Sequence, residues 1–365
     1  WGKVIHNNFM EWLASWKDNI TGKTKYVWLG QKSSFKAKSD EHKFDIARKL
    51  NKHIANIRKN NYNNIINSST DTKTKQLGCA LYLIDKLALR VGNEKGEDEA
   101  DTVGVCSLRV EHMTLQDNNK IKLDFLGKDS IRYEKVVEID HNIYTQIMRF
   151  MKGKKKTDDI FDEINPTLLN VYLKSMMDDL TAKVFRTYNA SILFQNELND
   201  IQHEINKIVK NRPKKESKEE EENNDKNLEM SEINAILDMY QKANIKVALL
   251  CNHQKGVSKS FNEQIVKMDD KIKELKDKRR ELKSSGADKE KIGKVDEKIK
   301  RELSKKELKV DLKNLSLTTS KMNYIDPRIT VAFFKKNKLP LDKIFSPTLM
   351  DKFFWAMDVP KSWAF

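Results

Sequence analysis

Between Phe261 and Leu315 the chain is dense in Lys, Arg, Glu and Asp and carries only a thin apolar line. Phe261, Ile265, Met268, Ile272, Leu275 and Leu282 step by four, three, four, three and seven, the spacing of a heptad seam. Gly286-Ala287-Asp288 turns the chain, and Ile292, Val295, Ile299, Leu303, Leu308, Leu312 and Leu315 return less regularly. A helix packed inside a globule needs a wider apolar face than this. The stretch therefore predicts a protruding arm of two antiparallel helices that touch only each other. It divides the chain into a core over 1–259, the arm over 260–315 and a tail over 316–365.

A formal net charge of +15 over 365 residues, with 34% of them charged, points to a polyanionic partner. Nucleic acid leads, an acidic membrane surface comes second, and a plain lysine-rich surface is the ordinary alternative. Cys79, Cys106 and Cys251 lie far apart in apolar surroundings, with neither a disulfide framework nor a zinc spacing. They read as reduced core residues of an intracellular protein. No apolar run is long enough to cross a bilayer, no signal peptide opens the chain, and a first residue of Trp1 suggests a fragment.

The core alternates between two periods. Trp12 to Trp16 and Lys25 to Leu29 read as short antiparallel strands, with turns at Lys17-Asp18-Asn19 and Thr21-Gly22-Lys23. Phe44, Ala47, Leu50, Ile54 and Ile57 predict a helix over 40–58, which an asparagine-rich surface loop over 60–69 breaks. Leu77, Ala80, Leu81, Ile84, Leu87 and Ala88 predict a buried helix over 71–91, stopped by a left-handed Gly92. The stretches 108–115, 120–126 and 131–139 predict a three-stranded meander with Lys128 at its second turn. Helical periodicity returns over 142–152 and 166–198, with Thr181 a candidate N-cap. Residues 211–227 have almost no apolar content and predict a disordered insertion. A further helix opens at Ser231, and its last turn carries Asn252-His253-Gln254. The tail predicts a small helical domain packed by Phe333, Phe334, Phe345, Phe353, Phe354 and Trp355. The fold class is mainly α with a small antiparallel β component (α+β).

The chemistry centres on Ser320-Lys321-Met322-Asn323-Tyr324-Ile325-Asp326-Pro327-Arg328. The Asp-Pro turn presents the phenol of Tyr324. Arg90, Lys128, Arg186 and His253 stand in distinctive contexts of their own, and each has a plain reading too. Arg90 and His253 at helix C-termini complement the helix dipole, and Lys128 is a solvated turn residue. Arg186 snorkels or pairs with Asp178 or Asp179.

Several strings occur in one order: Ile84 to Arg90, Ala100 to Gly104, Cys106 to His112, Phe125 to Tyr133, Thr181 to Ser191, Cys251 to Gln254 and Ser320 to Val331. Together they resemble the eukaryotic nuclear type IB DNA topoisomerases over nearly the whole chain. The resemblance implies a tyrosine recombinase/type IB topoisomerase catalytic core, a protruding antiparallel coiled-coil linker and a small helical C-terminal domain. It implies that Tyr324 attacks a backbone phosphate of duplex DNA, giving a 3′-phosphotyrosyl link and a free 5′-hydroxyl that later reseals the strand. The link conserves bond energy, so no ATP, metal or other cofactor is called for. Consistent with that, the sequence has no Gly-rich phosphate loop and no carboxylate cluster at ligand spacing.

By the same resemblance Arg90, Arg186 and His253 donate to the non-bridging oxygens, and Lys128 is the general acid for the leaving oxygen. The residue types suit that chemistry, because fixed cationic donors stabilise the charge a pentacoordinate phosphorus concentrates on its oxygens. A free phenol titrates near pH 10, so Tyr324 needs a positive field; no general base for it is identified. Further DNA contacts implied are Lys95, Thr102, Asp129, Lys183, Thr319 and Asn323. Of these, Asp129 and Asn323 lie where camptothecin-type drugs stack at the nick. The resemblance also implies a monomer, a nuclear location serving DNA replication and transcription, and a cap lobe that would precede Trp1. The insertion over 211–227 is longer and more acidic than the family pattern. A tyrosine site-specific recombinase is the rival enzyme, but none of the seven histidines has arginine three residues on. A non-catalytic DNA-binding or chromatin module is the rival from another class.

Overall fold

The computed structural model describes residues 2–7, 10, 12–30, 32–93, 100–210 and 228–365, with backbone alone over 208–210. Strands β1 (Trp12–Lys17) and β2 (Thr24–Trp28) form an antiparallel hairpin. One loop closes it where two turns are expected, with Asp18 N–H donating to the Lys23 carbonyl and Gly22 N–H to that of Asp18.

Helix α1 (Ser34–Ile66) runs on through the asparagines expected to end it. The apolar stripe continues to Asn61 and Ile65, both buried. Asn61 is satisfied there because its Nδ2 donates to the Gly78 carbonyl at 3.0 Å and its Oδ1 accepts from Tyr172 Oη at 3.1 Å. Helix α2 (Thr72–Leu87) starts at an Asp71 cap, whose carboxylate accepts the Thr74 N–H. It stops at Ala88, which is itself left-handed (φ 50°), not at Gly92.

Strands β3 (Met113–Gln116), β4 (Lys120–Leu126) and β5 (Arg132–Glu138) form the expected meander, in that order. Its first strand is shorter than expected, because short 3-10 turns occupy 105–107 and 110–112. Helices α3 (His141–Met151), α4 (Pro166–Met176), α5 (Ala182–Lys210) and α6 (Met230–Leu250) follow. The helical periodicity expected over 166–198 is thus carried by two helices, the second opening at Ala182, directly after the candidate N-cap Thr181. The start of α5 is tied to α4, where Asn170 Oδ1 accepts the Ala182 N–H at 3.0 Å. The expectation for 211–227 lies outside the described residues.

Helices α7 (Phe261–Ser284) and α8 (Lys289–Asp311) form an antiparallel pair with Ile272, Val295 and Ile299 buried between them. Two details depart from expectation. Leu303 is exposed while Glu302 sits in the seam, held by Lys271 at 3.2 Å and Lys305 at 2.9 Å. The heptad count from Ile299 lands on 302, so the acid and not the leucine faces inward. The pair also touches more than itself, since Ser304 on α8 donates to Asp238 on α6 at 3.0 Å.

Helices α9 (Leu317–Asn323), α10 (Pro327–Lys336) and α11 (Pro347–Lys352) make the tail. Phe333, Phe334, Phe345, Phe353 and Phe365 join the same buried cluster as the apolar faces of α1, α2, α5 and α6, whereas Phe354 is exposed. Arg328 anchors the tail from inside. It pairs with Asp326 and with Asp45 of α1, and its guanidinium lies 5.4 Å from the Trp355 ring and 4.9 Å from the Trp363 ring. Among the described residues no helix is long and apolar enough to cross a membrane.

Candidate active site

Arg90 lies three residues past the end of α2, where two glycines let the backbone cross itself. Val105 N–H donates to the Arg90 carbonyl at 2.9 Å and Cys106 N–H to that of Val91 at 2.7 Å. A Cβ on Gly104 would stand 2.3 Å from the Gly92 nitrogen and 2.8 Å from the Arg90 oxygen, so only glycine permits this approach. Val103 N–H then donates to the Leu126 carbonyl at 2.7 Å, tying the crossing to the end of β4. Directly beyond is the tight turn Lys128–Ser130, with Asp129 (φ 62°) and Ser130 (φ 55°) left-handed. Lys128 is at the second turn of the meander, as expected.

Arg186 is on the buried face of α5, 4% exposed. The plain alternative, pairing with Asp178 or Asp179, is not what holds it. Its Nη1 donates to the Ala88 carbonyl and its Nη2 to that of Cys251 at 3.1 Å. One guanidinium thereby clasps the ends of α2 and α6, from which Arg90 and His253 emerge. Among the described residues no carboxylate pairs with Arg90, Lys128 or Arg186.

His253 is not in the last turn of α6; it lies beyond Asn252, a left-handed residue (φ 51°). Its N–H reaches back to the Ala248 carbonyl at 2.9 Å. Nδ1 is 2.6 Å from Ser320 Oγ, and the buried Nε2 has no partner among the described residues. Burial, then the fields of Arg186 and Arg90, bring the imidazole pKa down to about 3. The ring is therefore neutral at physiological pH.

Tyr324 caps the C-terminus of α9, its N–H donating to the Ser320 carbonyl at 3.0 Å. Ser191 of α5 fixes the turn that follows, since Oγ donates to the Tyr324 carbonyl and accepts the Asp326 N–H, both at 3.0 Å. Asp326 in turn caps α10. The turn is as expected, and it holds the tyrosine buried. Only 5% exposed, its ring lies 5.0 Å from the Arg186 guanidinium and 5.1 Å from the His253 ring, centroid to centroid. Burial alone would raise the phenol pKa; Arg186 and Arg90 outweigh it and hold the pKa below the ordinary value.

Arg90, Lys128, Asp129, Arg186, His253 and Thr319 line one cleft of about 120 Å³, with the Tyr324 ring packed against two of its walls. Asn323 is beside the tyrosine, Nδ2 donating to the Thr319 carbonyl at 3.2 Å. Thr102 adjoins the lining residue Val103 without lining the cleft itself, and Lys183 points to solvent from α5. Lys95 lies outside the described residues. Sequence reasoning passed over Ser191 and Ser320. The available signal was a hydroxyl at apolar spacing on each helix, between Tyr188 and Phe194 on α5 and one turn before Tyr324 on α9.

Among the described residues, Arg90, Lys128 and Arg186 meet at this cleft with no carboxylate paired to them, beside an imidazole nitrogen that has no partner, an arrangement suited to a compact anion. Residues 32–285 match the family described as eukaryotic DNA topoisomerase I, catalytic core, and residues 296–365 match the C-terminal topoisomerase domain. The chain belongs to the eukaryotic DNA topoisomerase I family. It is 43% identical over 390 residues to DNA topoisomerase 1 alpha of Arabidopsis thaliana, covering 100% of this chain and 40% of that protein. Identity to DNA topoisomerase 1 of Caenorhabditis elegans is 42% over 384 residues (99% and 44% covered). For DNA topoisomerase 1 of Homo sapiens it is 41% over 385 residues (98% and 47%). The chain thus spans less than half the length of these relatives. In this topoisomerase I family chain the cleft is assembled across the arm. The stretch matching the catalytic core supplies Arg90, Lys128, Arg186 and His253 to the lining, and the stretch matching the C-terminal domain supplies Thr319 to it and the Tyr324 ring behind its Arg186 and His253 walls.

Proposed function

We propose that this chain carries the catalytic machinery of a type IB DNA topoisomerase, relaxing supercoiled duplex DNA without ATP or metal. Tyr324 gives up its phenolic proton to solvent, its Oη attacks a backbone phosphorus as the phenolate, the P–O5′ bond breaks, and a 3′-phosphotyrosyl link forms. Lys128 gives a proton to the departing 5′-oxygen. Arg90, Arg186 and the Nε2–H of His253 take up the negative charge on the non-bridging oxygens. After the DNA swivels, the 5′-hydroxyl attacks the same phosphorus, returns its proton to Lys128 and displaces Tyr324 as the phenolate, which takes its proton back from solvent.

The observation that carries this reading is the packing of the Tyr324 ring against Arg186 and His253, at a cleft that Arg90 and Lys128 also line. The net charge of +15 suits a polyphosphate backbone as partner. Thr102, Lys183, Thr319, Asn323, Asp129 and Lys95 are proposed to contact DNA around that point. Asp129 and Asn323 would also contact a camptothecin-type drug at the nick. The domains proposed are a catalytic core over 1–259, a coiled-coil linker over 260–315 and a C-terminal domain over 316–365, in a monomeric nuclear protein. Supercoiled plasmid is mixed with the chain and quenched with detergent. Protein-linked nicks, absent with Tyr324→Phe although that variant still binds DNA, support the reading; equal nicking by both proteins, or none by either, refutes it. Drug that leaves the amount of trapped complex unchanged would refute the drug contact.

A further inference from the structure

We propose that Ser320 is a positioning residue, whose hydroxyl fixes His253 as the tautomer protonated on Nε2 and thereby makes it a hydrogen-bond donor to the anion. The inference rests on the reading of the cleft given above. Ser320 is fully buried, and among the described residues the only hydrogen-bond partner of its Oγ is His253 Nδ1, at 2.6 Å. A hydroxyl with a single partner keeps its bond whichever way the proton points, but the two choices are not equal here. If Nδ1 carried the proton, the Ser320 hydrogen would be left without an acceptor in the core, at a desolvation cost. If Ser320 donates, its hydrogen is satisfied and Nδ1 accepts, so the one proton of a neutral imidazole lies on Nε2. Nε2 is buried and has no partner among the described residues.

The same residue also orients the nucleophile, because its carbonyl accepts the N–H groups of Tyr324 and Ile325, each at 3.0 Å. The two segments are joined along their length. Ser316 N–H donates to the His253 carbonyl and Lys255 N–H to that of Asn314, both at 2.8 Å. Docking α9 therefore delivers the tyrosine and sets the imidazole proton in one event. Without α9 the Nδ1 partner is missing, and the ring is free to present a lone pair where a donor is needed.

The test uses the full chain labelled with 15N-histidine. The His253 ring signals are identified by their loss in His253→Gln, and the tautomer is read from long-range proton–nitrogen correlations. Wild type is expected to be protonated on Nε2, Ser320→Ala to shift population to the Nδ1-protonated form, and Ser320→Thr, which keeps the hydroxyl, to restore the first pattern. Single-turnover cleavage of a nicked suicide duplex is expected to slow about tenfold in Ser320→Ala with DNA affinity unchanged. That lies between a twofold loss from an evenly split tautomer and the ~100-fold loss of removing a donor outright. An Nδ1-protonated ring in wild type, or an unaltered tautomer in Ser320→Ala, overturns the assignment. A shifted tautomer with wild-type cleavage overturns its catalytic role. The tautomer readout needs no DNA, so failure of the topoisomerase reading would show separately, as no covalent complex with wild type.

Discussion

Gly104→Ala places one methyl group where the chain crosses itself beneath Arg90. The new Cβ would lie 2.3 Å from the Gly92 nitrogen, 2.4 Å from its Cα and 2.8 Å from the Arg90 oxygen, against the 3.4 Å at which ordinary contact begins. All three atoms are backbone, so no side chain can swing aside. The two segments must part by about 1 Å, stretching the bonds from Val105 N–H to the Arg90 carbonyl and from Cys106 N–H to that of Val91. Overpacking of this kind costs about 1–3 kcal/mol, which leaves a well-built fold intact. The effect on catalysis is larger, because displacing a positioned group by about 1 Å costs roughly 100-fold in rate. Single-turnover cleavage of a suicide duplex, with melting temperature and DNA affinity measured in parallel, separates the two effects. The expected result is a folded protein that binds DNA and forms covalent complex about 100-fold more slowly. A folded variant cleaving at the wild-type rate would refute the claim that the glycine crossing sets the position of Arg90.

Two further outcomes follow from buried polar groups. His253 is held near pKa 3 in the fold, against about 6.5 in the unfolded chain, so the unfolded state takes up the extra proton as pH falls. Stability is therefore lost as pH drops from about 7 toward 3, and wild type should lose about 2 kcal/mol more than His253→Gln between pH 7 and 5, read by chemical denaturation; parallel curves would contradict it. Ser191→Ala leaves the Tyr324 carbonyl and the Asp326 N–H without their bridge. It should lower unfolding free energy by about 1–3 kcal/mol, whereas a change under about 0.5 kcal/mol would show that the bridge does not hold the turn.

The helical stripes and the meander were legible in the sequence because each depends on local periodicity, and Arg90, Lys128, Arg186, His253 and Tyr324 were singled out by recognisable strings. What was not legible depends on partners distant in the chain. Asn61 looks like a loop residue until Gly78 and Tyr172 satisfy it inside the core. Ala88 takes the left-handed stop at α2, and its carbonyl receives the Arg186 guanidinium. Gly92 was read as a helix stop, but it is needed where Gly104 approaches it, and composition does not report that crossing. Glu302 displaces Leu303 from the seam because Lys271 on the facing helix neutralises it. The depth at which Tyr324 is buried also depends on distant partners, the Arg186 and His253 walls that cover its ring.

The central claim is that the cations converge on one phenol oxygen so that a phosphodiester placed there is transferred to it. The most direct measurement is mass spectrometry of the peptide that remains attached to DNA after detergent quenching and protease digestion. The account predicts a nucleotide joined through a 3′-phosphate to the peptide containing Tyr324. An adduct on any other side chain, or attachment through a 5′-phosphate, would contradict it.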